Sequence, residues 1–233
     1  PSLLAGNQIT PGAPRRWLLV RREAGVPCED AGANRWSVDH LFLDQEGIPT
    51  LVEVKRSSDT RIRREVVGQM LDYAANAVAY WPIEQVRSYL ESTCQQQGID
   101  VDEAVINVLG GEIDTEHFWQ QVKTNLQAGR IRMIFVADVI PPELRRIVEF
   151  LNEQMNPAEV LAVEIKQFAG EGLKTLVPRV HGLTAEAQQK KSGGVRETRK
   201  WDEAAFFQEL FHSRIYKKTQ GRVTRQVTWA AIA

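Results

Sequence analysis

Two carboxylates and an amine stand near one another early in the chain. Asp39 lies in the run WSVDHLFLD and Glu53 and Lys55 lie in LVEVK, with Asp44-Gln45-Glu46-Gly47 between them. Both runs are apolar and of strand length, and the intervening residues are turn formers, so they read as the two arms of a hairpin. Side chains alternate along a strand, which places Glu53 and Lys55 on one face and Val52 and Val54 on the other. Two acids and an ammonium at the open end of a hairpin suit phosphodiester hydrolysis. That reaction needs an activated water, neutralised phosphate oxygens and help for the leaving alkoxide. A divalent ion such as Mg²⁺ or Mn²⁺ supplies much of each, taking a few carboxylate oxygens and leaving positions open to water. Asp39, Glu53 and the backbone carbonyl of Val54 are the candidate metal ligands. Lys55 is the amine that could orient the attacking water or brace the phosphate. A lone Glu-x-Lys also describes a plain solvated strand face. The Asp on the preceding strand, the short hairpin and the helix that follows at once add weight to the chemical reading.

That helix has its own signals. Ser57, Ser58 and Asp59 offer cap chemistry for a start near Thr60. Ile62, Val66, Met70, Ala74 and Val78 then recur every four residues, Val67 and Leu71 widen the stripe, and Pro82 follows the end. Gln69 and Tyr73, four apart, project together beside the stripe. Arg56, Arg61, Arg63 and Arg64 make the entry to the helix basic, a candidate nucleic-acid contact.

In this order the residues resemble a family. Asp39, then Glu53-x-Lys55 on a Val-rich strand, then Gln69-x-x-x-Tyr73 on the next helix, is similar to the PD-(D/E)XK nuclease superfamily, and within it to the RecB-like branch. The resemblance covers residues 16–81, and the strand at 130–137 would complete the core sheet. It implies an α/β, restriction endonuclease-like core with a central mixed β-sheet flanked by helices. It also implies metal binding by Asp39 and Glu53, a catalytic amine in Lys55 and a hydrogen bond near the site from Gln69. Tyr73 would lie against nucleic acid or brace its helix. The residue before Asp39 is Val38, where the family often has proline. A Pro- and Gly-rich lead precedes the first strand where the family core usually opens with a helix. Either that helix belongs to preceding sequence or the site lacks its further acid, and the number of metal ions stays open.

The remaining sequence must position these residues. The composition, 43% hydrophobic and 25% charged over 233 residues, is that of an ordinary globular chain. No apolar run approaches the ~18–20 residues that span a bilayer. Cys28 and Cys94 have no metal-ligand spacing, which with the missing leader pattern leads us to expect a cytoplasmic protein without a membrane partner. The net charge of −1 conceals segregation: residues 55–64 hold five bases and one acid, residues 83–117 eight acids and one base, and residues 190–233 ten bases and four acids. A polyanion responds to the patches rather than to the sum.

Strands are expected at 16–22, 36–43, 51–55, 130–137, 159–168 and 173–180, and helices at 84–97, 99–109, 115–127 and 142–154. The acidic helical stretch at about 83–128 reads as an insertion on the periphery. The nuclease-like domain is expected over 1–187, with a linker at 188–200 around Ser192-Gly193-Gly194. A basic helical appendage follows at 201–233, readable as part of a truncated second domain. Its Phe-rich stretch at 202–211 could pair the chain with a second copy. Glu164-x-Lys166 repeats the short motif without a hairpin Asp and reads as a solvated strand face. His40 points away from Asp39, and Trp36, Tyr80 and Trp81 read as core or rim packing. The function expected from all of this is metal-dependent hydrolysis of nucleic acid, DNA first. The alternative is a binding or scaffold module that keeps the fold without catalysis.

Overall fold

The computed structural model describes residues 15–27, 36–56, 65–109, 114–170 and 173–192. Among these are six strands, β1 (Trp17–Val26), β2 (Trp36–Asp44), β3 (Pro49–Lys55), β4 (Arg132–Ala137), β5 (Glu159–Gly170) and β6 (Leu173–His181). The helices are α1 (Glu65–Tyr80), α2 (Ile83–Gln97), α3 (Val101–Leu109), α4 (Thr115–Gln127), α5 (Pro142–Gln154) and α6 (Ala185–Ser192). The chain is α/β. All six strands form one mixed sheet in sequence order, antiparallel through β1, β2 and β3, parallel from β3 to β5, and antiparallel again to β6.

Alternation along the strands builds two apolar layers. Leu51, Met133, Phe135, Val160 and Ala162 face the helices, while Val52, Ile134, Leu161 and Val163 make the opposite face with Trp17 and Phe42. The parallel register is pinned at one end by the row Thr50, Arg132 and Glu159. The guanidinium of Arg132, 1% exposed, donates to Asp44 at 3.0 Å, to Thr50 Oγ1 at 3.1 Å and to Glu159. Removing any one partner would strand charge in the interior.

The acidic stretch does not sit on the periphery. Val86, Leu90, Val105, Phe118, Trp119, Val122 and Leu126 from α2, α3 and α4 are buried in the same core cluster as the sheet. The acids occupy the outward faces of amphipathic helices, so charge composition alone misplaced the segment. These helices also satisfy strand backbone. β1 bulges between Leu19 and Arg21, and Thr93 on α2 donates its hydroxyl to the Val20 carbonyl at 2.6 Å. Tyr89 donates to the Gly25 carbonyl, and the strand expected at 16–22 runs on through Gly25 and Val26.

Residues 188–192, expected as the start of the linker, are helical. Lys191 on α6 donates to Asn152 Oδ1 on α5 and to the Ala158 carbonyl, tying the helix to the domain. The chain divides into units Pro1–Ser192 and Gly193–Ala233, so the boundary falls at Gly193. The lead at 1–14, the cap residues Ser57, Ser58 and Asp59, and everything from Gly193 onward lie outside the described residues. No described helix is long and apolar enough to cross a membrane.

Candidate active site

The site begins with the turn that sets its register. The Asp44 carboxylate accepts the backbone N–H groups of Glu46 at 3.0 Å and Ile48 at 2.9 Å, closing the β2–β3 connection. Gly47 has φ 67°, which favours glycine, and an added Cβ would lie 3.1 Å from Val122 on α4. The turn fixes His40 opposite Val52 and Leu41 opposite Leu51. A slip of one residue would send Glu53 to the other face of the sheet.

With that register Asp39 reaches across the hairpin, and the Val54 N–H donates to Asp39 Oδ2 at 2.7 Å. Glu53 is 2% exposed. Its Oε1 pairs with Lys55 Nζ at 2.8 Å, whereas Oε2 is buried with no hydrogen-bond partner among the described residues. Burial raises the Glu53 carboxyl above its ordinary value, Lys55 pulls it down, and the nearby charge of Asp39 raises it again. The structure therefore places Asp39, Glu53 and Lys55 near one another at one end of the hairpin.

Gln69 and Tyr73 join them from α1. Gln69 Nε2 donates to the Tyr73 hydroxyl, which feels the charges of Glu53, Lys55 and Asp39. Burial raises the Tyr73 pKa, so the phenol stays protonated. At 2% exposure its ring packs in the core. Arg56 is exposed beside the site. Arg61, Arg63 and Arg64 lie outside the described residues. His40 lies on the other face of β2, stacked with Phe42, with its pKa lowered by burial.

Glu164 differs from its expected solvated position. It is 8% exposed and accepts the Ile140 N–H at 2.9 Å. Burial pushes its carboxyl up, but that hydrogen bond and Lys166 outweigh it and hold the group below the ordinary value. Lys55 pairs with Ala137 and Ala137 with Glu164, so Glu164 lies in the same cross-strand row and on the same face as Lys55. The sequence carries no marker of that row, because parallel pairing between distant strands leaves no local trace. Trp81 is buried and Tyr80 exposed, as core and rim residues.

No group of three or more His, Cys, Asp or Glu side chains able to hold a metal occurs among the described residues. The candidate set is two carboxylates and a backbone carbonyl. The unpartnered, buried Oε2 of Glu53 beside a second carboxylate fits a cation better than it fits a closed ion pair. The chain matches no family model, no curated protein and no solved structure.

Proposed function

We propose that the protein is a divalent-metal-dependent nuclease with a restriction endonuclease-like core, hydrolysing phosphodiester bonds in DNA. One observation carries the reading: Glu53 is buried with one oxygen unpartnered, whereas the other buried acids among the described residues, Asp44 and Glu164, have a hydrogen-bond or ion-pair partner at each oxygen. Asp44 meets Ile48, Glu46 and Arg132, and Glu164 meets Ile140 and Lys166. Burying a carboxylate without full pairing costs stability, and such strain concentrates where ligands bind. The joining of β4 to β3 in parallel, after α1, agrees with the sheet that the family resemblance implies.

Asp39, Glu53 and the Val54 carbonyl would hold Mg²⁺ or Mn²⁺, which supplies charge neutralisation on the phosphate and a more acidic water. The chain's own residues do the rest. Lys55 fixes Glu53 Oε1 and places a positive charge where a phosphate oxygen arrives. Gln69 and Tyr73, joined by a hydrogen bond within α1, would bring that helix's polar groups toward the acids, since the Tyr73 hydroxyl feels the charges of Glu53, Lys55 and Asp39. Arg56, with Arg61, Arg63 and Arg64 on the way into α1, would meet flanking phosphates and position the strand without reading its bases.

The test is purified protein incubated with linear duplex and single-stranded DNA, with and without Mg²⁺, beside Lys55→Ala and Glu53→Ala. The expected result is metal-dependent cleavage by the wild type that both substitutions abolish. Cleavage surviving both overturns the site. DNA binding by the wild type with no cleavage under any metal instead marks a scaffold that has kept the fold alone.

A further inference from the structure

Beyond the row that contains Lys55, β5 and β6 are the two strands among the described residues that continue for more than one residue. β4 ends at Ala137, opposite Glu164, while β5 runs on to Gly170 and pairs with β6 down to Leu173. The result is an arm that projects past the carboxyl ends of β3 and β4, the end at which Glu53 and Lys55 lie. Strand pairing fixes which side chains share their face: Glu164 opposite Arg179, Lys166 opposite Val177, and Phe168 opposite Thr175.

On that face Phe168 is 57% exposed and Val177 46%, and the Lys166 side chain is 55% exposed. Arg179 is exposed as well. A Phe ring this open gains little from the protein. On this face the bases Lys166 and Arg179 stand against Glu164, whose Oε1 lies 3.4 Å from Lys166 Nζ, and the excess of one base favours an anionic partner. Two strand spacings carry Glu164 about 10 Å sideways from Lys55, and four residues carry Phe168 about 13 Å further along the arm. A chain bound at Glu53 and Lys55 that runs toward the arm would reach Phe168 after a few nucleotides.

We infer that the β5–β6 arm is a second nucleic-acid contact, and that it takes an unpaired strand. Phe168 stacks on a base, Val177 extends the apolar platform, and Lys166 and Arg179 meet the phosphates on either side. An aromatic ring stacks on any base, so this contact selects strandedness rather than sequence. In a duplex each base is already stacked on its neighbours and the ring would have to wedge a step open. The inference rests on the nuclease reading, because it is the site at Glu53 and Lys55 that brings a nucleic acid beside the arm.

The experiment measures binding of a fluorescent single-stranded oligonucleotide and of its matched duplex to the full chain, by anisotropy in EDTA. The variants are Phe168→Ala, Phe168→Trp and Arg179→Ala, and wild-type cleavage is run in parallel with Mg²⁺. Phe168→Ala is expected to weaken single-strand binding about tenfold and to leave duplex binding at the wild-type level. Phe168→Trp should restore it, and Arg179→Ala should weaken binding and flatten its salt dependence. Equal loss for both substrates, no loss for either, or failure of tryptophan to rescue overturns the arm. Cleavage with an unaffected Phe168→Ala rejects the arm and leaves the nuclease reading standing. Stranded selectivity without cleavage keeps the arm and rejects the nuclease reading.

Discussion

At the scale of single residues, Glu53 sets a conflict between stability and binding. Its carboxylate is desolvated and only half paired, so the metal-free protein carries an unrelieved cost. Glu53→Gln keeps the shape and an acceptor for Lys55 while removing the charge. It should raise the metal-free stability by about 1 kcal/mol, or roughly 2–4 °C in Tm for a domain of this size. The wild type should in turn gain about 2.7 kcal/mol from Mg²⁺ at a hundredfold excess over Kd, and the variant should gain none. Thermal melts with and without Mg²⁺ read both effects, and a variant less stable than the wild type without metal would contradict this account of Glu53. Asp39, Glu53 and Lys55 could be found in the sequence because a strand's two-residue alternation and a short hairpin are local properties. The burial of Glu164 could not, since it depends on a strand far along the chain arriving in one particular register.

At the scale of elements, the acidic helices turn out to hold the β2–β3 hairpin. Asn125 on α4 is 2% exposed, and its amide donates to the carbonyls of Glu46 and Gly47, both at 2.9 Å. The β2–β3 turn is thus clamped by a helix that enters the chain only after α1, α2 and α3. Asn125→Ala leaves buried carbonyls without donors and should cost about 2 kcal/mol in chemical denaturation. If the clamp also holds the register, metal-dependent cleavage falls by more than the unfolded fraction explains, whereas cleavage tracking only the folded fraction would show that the turn holds its own register. The helices themselves were legible from apolar spacing and glycine punctuation, and their ends were placed within a residue or two. Their destination was not legible: an apolar stripe shows that a helix must pack, and not what it packs against.

At the scale of the whole molecule, two histidines tie folding to pH. His40 and His181 both have pKa values lowered by burial from an ordinary 6.5. The unfolded chain therefore takes up protons at a higher pH than the folded one. Their contribution to stability is complete above 6.5 and drains away as pH falls through 6.5 toward the lowered folded values. Asp44, which burial raises to about 6, titrates in the same window with the opposite sign, so the difference between proteins is the quantity to read. Denaturation at pH 7.5 and 5.0 should show the wild type losing more stability than a His40→Phe, His181→Gln double variant, and equal losses would dismiss the histidines as the cause. The arm has a different consequence at this scale. β6 is the last strand of the sheet among the described residues, and an edge strand with Phe168, Leu176 and Val177 nearby invites copies to stack into fibres. Pro178 stands in that strand opposite Ile165 and has no N–H to offer, and exposed Lys174 and Arg179 on β6 bring like charge to any matching edge. The strand pair we propose as a nucleic-acid contact is thereby made a poor template for the protein's own aggregation.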